Sequence, residues 1–180
     1  MSHLNVEVKA RCADPDRVRA ILTGRRADFR GTDRQVDTYL HCRTGRLKLR
    51  EGNIENSLIH YRRPDEAGPK QAVVTLYHPP PDPALKQILT ESLGVMVVVE
   101  KTREIYFIDN VKFHLDAVDG LGTFVEIEAI DETGRIGPER LRAQCERYVA
   151  LLGVSPPNLI DRSYSDMLLD RERAPEGRAR

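Results

Sequence analysis

Lys101-Thr102-Arg103, His114-Leu115-Asp116 and Glu126-Ile127-Glu128 each set two ionisable residues two positions apart, inside stretches that otherwise read as β-strand. On a strand, residues i and i+2 share a face. Each strand therefore turns Lys and Arg, His and Asp, or Glu and Glu to one side and Thr, Leu or Ile to the other. The recurrence in strand after strand, with both signs of charge, suits a lined channel for an anion and its metal better than an ordinary solvated surface.

The alternation extends outward in the chain. Leu4, Val6 and Val8 alternate with Asn5, Glu7 and Lys9, and Arg46-Leu47-Lys48-Leu49-Arg50 sets three bases against two leucines. Ser57 to Arg63 places Ile59, Tyr61 and Arg63 on one face before the turn signal Pro64-Asp65. Further strands are expected at Gln35–Leu40, Gln71–His78, Val97–Ile108, Val111–Val118 and Thr123–Ile130, with hairpin turns at Asp109-Asn110 and Asp119 to Gly122. Helices are expected from Asp14-Pro15 to Gly24, from Asp82 to Gly94 with Leu85, Ile88, Leu89 and Leu93 as apolar face, and from Pro138 to Leu152. Antiparallel hairpins of this length close into a barrel, because closure removes exposed edges.

The expected fold is therefore α+β: an eight-stranded antiparallel β-barrel with a charged interior and helices packed outside. Leu47, Leu49, Leu115, Val125 and Ile127 would face the helices. Glu7, Lys9, Lys48, Arg50, Arg63, Lys101, Arg103, Asp116, Glu126 and Glu128 would face inward. Such an interior is costly unless its charges pair with each other, with water or with a ligand.

The 180 residues fit a single domain over 1–169, followed by a tail, 170–180, expected to be disordered. With 28 basic and 28 acidic residues the net charge is zero, which argues against a nucleic-acid or membrane partner. No stretch nears the roughly 20 apolar residues of a membrane span. The N-terminus does not read as a secretion signal, and the three cysteines, Cys12, Cys42 and Cys145, read as reduced thiols of a cytoplasmic protein. Taken alone, Glu126 and Glu128 would be a solvated strand face, and Lys48 and Arg50 a basic edge. Glu7 and Asp116 at matching parity reverse that reading. His114 reads as a polar contact, Tyr39 and Tyr61 as packing residues, and His41 and Cys42 as structural.

Asn5-Val6-Glu7-Val8-Lys9, Leu47-Lys48-Leu49-Arg50-Glu51, Tyr61 to Asp65, Glu100 to Arg103, Leu115-Asp116 and Gly120 to Glu128 together resemble the CYTH domains, in order and approximate spacing, over residues 3–169. These are the triphosphate tunnel metalloenzymes, which include class IV adenylate cyclases and thiamine triphosphatases. The resemblance implies a tunnel that binds a triphosphate with Mg²⁺ or Mn²⁺. It implies Lys9, Lys48, Arg50, Arg63, Lys101 and Arg103 as substrate-binding cations, with Lys9, Arg63 and Lys101 catalytic, and Glu7, Asp116, Glu126 and Glu128 as metal ligands. Asn5 stands where the family signature has its first glutamate, and offers a carbonyl oxygen without charge. Asp161 to Tyr164 resembles the family's end, after which a last helix follows.

Three activities remain open at this stage. The chain nearest resembles bacterial proteins named after class IV adenylate cyclase, which convert ATP to cyclic AMP and pyrophosphate. A triphosphatase acting on tripolyphosphate or thiamine triphosphate would use the same cations. A binding module without turnover is the third, and a homodimer is compatible with all three.

Overall fold

The computed structural model describes residues 2–80 and 82–173. Nine strands, four helices and one 3₁₀ turn follow in the order β1 (Ser2–Arg11), α1 (Pro15–Gly24), β2 (Asp28–Leu40), β3 (Arg46–Gly52), β4 (Ser57–Arg62), β5 (Lys70–Tyr77), α2 (Pro83–Leu93), β6 (Val95–Ile108), β7 (Val111–Val118), β8 (Gly122–Asp131), α3 (Pro138–Leu152), the turn Pro156–Asn158, β9 (Leu159–Ile160) and α4 (Tyr164–Arg173). The sheet runs β5-β4-β3-β2-β6-β7-β8-β1 and closes through β1 pairing with β5. It is the expected eight-stranded antiparallel barrel. The ninth strand is two residues long and pairs with the end of β1, Lys9 against Ile160 and Ala10 against Leu159.

Alternation sorts the side chains as the sequence implied on one side of the barrel. Val6, Val8, Phe113, Leu115, Val125 and Ile127 point outward and are buried beneath Val18 and Leu22 of α1 and Leu141, Cys145, Tyr148 and Leu152 of α3. Phe113 meets Tyr148 edge to face at 4.8 Å between ring centroids. Asp14 caps α1 by accepting from the Arg17 amide at 3.0 Å, and a proline opens each of the first three helices, where its fixed φ is favourable. Helix α2 departs from expectation. It buries no residue, and Ile88 is 60 % exposed, because α2 is an excursion between the prolines after β5 and Gly94, lying along the barrel rather than on its core.

The interior also departs from expectation, in being only partly charged. Toward the end where β1, β2 and β7 finish, the inward residues become apolar: Tyr39, Tyr61, Val97, Val99, Val118 and Phe124. Tyr164, Met167, Leu168 and Leu169 of α4 pack onto this cluster and close that end of the barrel. Tyr39 and Tyr61 do belong to packing, but inside the barrel. Helix α4 takes in Asp170–Arg173, so that part of the expected tail is helical; Arg162 pairs with Asp170, and Arg171 donates to the Gly120 carbonyl. Residues 174–180 lie outside the described residues.

One buried cation fastens this closure. Lys70 is fully buried, and its Nζ donates to the backbone carbonyls of Glu66 at 3.0 Å, Asp161 at 3.2 Å and Ile160 at 3.3 Å. It thus ties the start of β5 to the segment that leads into α4. Lys70→Ala should strip three carbonyls of their donor, lower stability by about 1–3 kcal/mol or more, and speed amide exchange in 159–173 more than in α3. Uniform exchange across both segments would show that Lys70 does not fasten α4.

Candidate active site

The charged half of the barrel encloses a cavity of about 400 Å³. Its walls hold seven cations, Lys9, Lys48, Arg50, Arg63, Lys101, Arg103 and Lys112, and five carboxylates, Glu7, Asp37, Glu55, Glu126 and Glu128. The strand register brings them together. Lys9 lies opposite Glu126 and Glu7 opposite Glu128 across β1 and β8, while His114 and Lys112 of β7 face Glu126 and Glu128 from the other side. Of the ten inward residues expected from sequence, nine line this cavity.

Asp116 is the exception. Its partner in the β6–β7 register is Arg103, and that guanidinium takes both carboxylate oxygens, at 2.7 and 2.6 Å. The Tyr164 hydroxyl donates to the same carboxylate at 2.8 Å. A fork-to-fork pair of this kind fixes orientation as well as charge. Asp116 therefore sits behind Arg103 as its orienting partner, not among groups open to a metal. Arg103 also reaches Glu126 Oε2 at 3.0 Å, and thus presents itself to the cavity from a fixed base.

Asp37 was not recognised from sequence and organises the opposite wall. Arg50 donates to its two oxygens at 2.8 and 2.9 Å, Lys48 at 2.9 Å and Lys101 at 2.6 Å. Burial alone would raise the Asp37 pKa; Arg50, Lys101 and Lys48 outweigh it and hold the carboxyl well below its usual range. Lys48 further lies 5.3 Å from the Tyr39 ring and 5.9 Å from the Tyr61 ring, within cation–π range. Lys9 sits 3.8 Å over the ring of Tyr164 and 3.5 Å from Glu126. Glu55 and Lys112 form a further pair at the open mouth, Glu55 also taking Arg50 at 2.9 Å.

The acidic patch on β1 and β8 is less completely neutralised. Burial, reinforced by Glu7 and Glu126 against the pull of Lys112, raises the Glu128 pKa. Glu7 pairs with Arg63, and the Asn5 amide donates to Glu128 while Asn5 Oδ1, buried, has no hydrogen-bond partner. His114 is held neutral, its pKa lowered to about 4 by burial and by Arg103, and its Nδ1 lies 3.2 Å from Glu126. Among the described residues no three His, Cys, Asp or Glu groups are already gathered as a metal cage. The donor set nonetheless fits a hard divalent cation: carboxylates and a bare carboxamide oxygen, with repulsion that a cation relieves. Mg²⁺ typically uses one or two carboxylates, water and substrate phosphates rather than a full protein cage.

The sequence matches the CYTH domain model over residues 3–164. The chain belongs to the CYTH domain family. No match is found among curated proteins. Among solved structures, a protein of Pyrococcus horikoshii OT3 superposes with a TM-score of 0.74 at 23 % identity, covering 90 % of this chain and 98 % of that one. A Vibrio parahaemolyticus protein named as a candidate adenylate cyclase gives 0.72 at 22 % identity, covering 94 % and 99 %. A Hippeastrum protein, named as a candidate adenylyl cyclase with a dominant triphosphatase activity, gives 0.56 at 16 % identity, covering 94 % and 96 %. At these identities the likeness is one of fold. Within this CYTH barrel no helix of the described residues is long and apolar enough to cross a membrane.

Asp37→Asn should leave Lys48, Arg50 and Lys101 without their shared counter-charge and destabilise the free protein by about 3–5 kcal/mol. Added tripolyphosphate should recover a larger share of thermal stability in this variant than in the parent. Equal shifts in both would show that the three cations do not face the ligand.

Proposed function

We propose that this CYTH protein is a metal-dependent enzyme acting on a triphosphate, with cyclisation of ATP to cyclic AMP and pyrophosphate as the leading reaction. The observation that carries the proposal is the cavity wall itself: seven cations face five carboxylates in a barrel closed at one end. A triphosphate carries about four negative charges and needs several Arg and Lys around it. Lys48, Arg50, Lys101 and Arg103, held by Asp37 and Asp116, would bind the phosphates from one wall. Lys9 and Arg63 would bind them from the other. Phosphoryl and nucleotidyl transfer depend on positioning and charge stabilisation, which Lys9, Arg63 and Lys101 would supply as charge builds on the phosphate oxygens.

Glu7, Glu126 and Glu128 would hold Mg²⁺ or Mn²⁺, with Asn5 Oδ1 as a neutral oxygen nearby. The cation, when bound, would neutralise phosphate charge beside the carboxylates of β1 and β8. The free thiols of Cys12, Cys42 and Cys145 support a cytoplasmic setting. The same cations would serve hydrolysis of a terminal phosphate, and the triphosphatase activity named for the Hippeastrum neighbour keeps that reaction as the second reading.

Chromatography of ATP and of tripolyphosphate after incubation with Mn²⁺ separates the two. Cyclic AMP with pyrophosphate is the expected product; orthophosphate from both substrates without cyclic AMP would transfer the assignment to a triphosphatase. Glu126→Gln and Glu128→Gln should each abolish metal-dependent turnover while the fold persists. Full activity in either variant, or in EDTA, would remove these residues from the metal site. Arg103→Ala should weaken tripolyphosphate binding roughly tenfold or more, the loss of one buried charge-assisted contact. Arg171, which donates to the Gly120 carbonyl and is not among the residues lining the cavity, is the control position, and its replacement should leave that affinity unchanged.

A further inference from the structure

We infer that His114 is a catalytic residue whose Nε2 accepts a hydrogen bond from the attacking oxygen, a ribose hydroxyl in cyclisation or a water in hydrolysis. The inference rests on the triphosphate reading of the cavity. His114 is buried on β7, in the cavity wall, and its two ring nitrogens have different surroundings. Nδ1 lies 3.2 Å from Oε2 of Glu126, a carboxylate held ionised by Lys9 and His114 against its burial. That oxygen can only accept, so Nδ1 carries the ring hydrogen and donates it. Nε2 is then a bare lone pair, and among the described residues no group donates to it. A buried acceptor without a donor costs free energy, which an arriving donor recovers. Burial and Arg103 disfavour the protonated imidazole, so Nε2 keeps this accepting role.

Its place decides what it can accept from. Among the described residues that line the cavity, three buried side-chain atoms lack a partner: Asn5 Oδ1, Arg63 Nε and His114 Nε2. Arg63 Nε is a donor. Asn5 belongs with Glu128, to which its amide donates, among the oxygens proposed for the cation. His114 Nε2 is the acceptor that remains. Phosphate oxygens repel such a lone pair, and a hard divalent cation prefers oxygen ligands. An O–H group suits it. Glu126 Oε2 fixes where that group would lie, because it takes Arg103 at 3.0 Å as well as the His114 Nδ1. The guanidinium and the imidazole thus share one oxygen. An O–H held by Nε2 would lie between phosphates bound by Arg103 and a cation bound by Glu126, where an oxygen attacking phosphorus has to be placed.

Steady-state kinetics of the intact protein in Mn²⁺ test this, with ATP followed as cyclic AMP and tripolyphosphate as orthophosphate. His114→Asn keeps an amide donor on the Nδ1 side for Glu126 and removes the Nε2 acceptor. Its kcat should fall about a hundredfold, the scale of a misplaced reacting group, on whichever substrate the parent turns over, with KM and Tm unchanged. A loss in cyclic AMP assigns the ribose hydroxyl to Nε2, and a loss in orthophosphate assigns the water. His114→Gln, whose Oε1 reaches toward the position of Nε2, should recover part of the loss. Unchanged kcat in His114→Asn, a rise in KM alone, or equal losses in the two variants would overturn the role of His114 while the triphosphate reading stands. Turnover of neither substrate by the parent would overturn both.

Discussion

Lys48, Arg50 and Lys101 share one carboxylate, Asp37, in a place where all four side chains are at least four-fifths withdrawn from water. Two charges taken out of water lose several kcal/mol of solvation each, and a pair recovers that only with good geometry. Arg50 alone reaches a second carboxylate, Glu55, which Lys112 also holds, so this wall carries more cations than anions. The Arg103–Asp116 pair is different in kind, because there the fork is fully matched and Arg103 must reach on to Glu126 to present charge to the cavity. The barrel thus keeps one wall held in register but under-neutralised. Such a wall is preorganised for an anion, since its cations are already held in place by Asp37 and Asp116.

This constraint explains which parts of the molecule the sequence disclosed. Period-two alternation located β1, β3, β4, β7 and β8 and sorted their inward residues, because a strand face is a local property of the chain. Counter-charges are not local. Asp37 lies in Val36-Asp37-Thr38-Tyr39-Leu40, where one acid among apolar neighbours reads as an ordinary outward side chain. Its role exists only through pairing of β2 with β3 on one side and β6 on the other, Asp37 opposite Arg50 and Val99. Glu55 sits in a loop without periodicity, and nothing in its neighbours marks it. Lys112 was legible: it shares parity with His114 and Asp116, and the triplet could have been extended by one step. Asp116 has the inward parity, and the β6–β7 register adds what parity cannot give, its pairing with Arg103.

The mixed interior also follows from physics that alternation cannot express. Inward residues near the closed end are as regular in period as those near the mouth, yet they are Val, Phe and Tyr. A barrel open at both ends would let water reach the charged wall from two directions and screen it. Covering one end with α4 turns the tunnel into a blind cavity and lowers the local dielectric, which strengthens each interaction inside it. Tyr164 joins the two halves. It is the first residue of α4, its ring carries Lys9, and its hydroxyl holds Asp116.

The position of Lys70 completes that logic. Its register partner is Glu7, on the acidic strand, yet its ammonium turns away from Glu7 to three main-chain carbonyls. Pairing with Glu7 instead would place a second cation beside Glu7 and leave the Glu66, Ile160 and Asp161 carbonyls without their donor. Spending this lysine on the Ile160 and Asp161 carbonyls leaves Glu7 to Arg63, a cation that also reaches the cavity. One cation thus fastens the closure and another lines the cavity, and the division follows their places in the chain: Lys70 begins β5, whereas Arg63 follows β4.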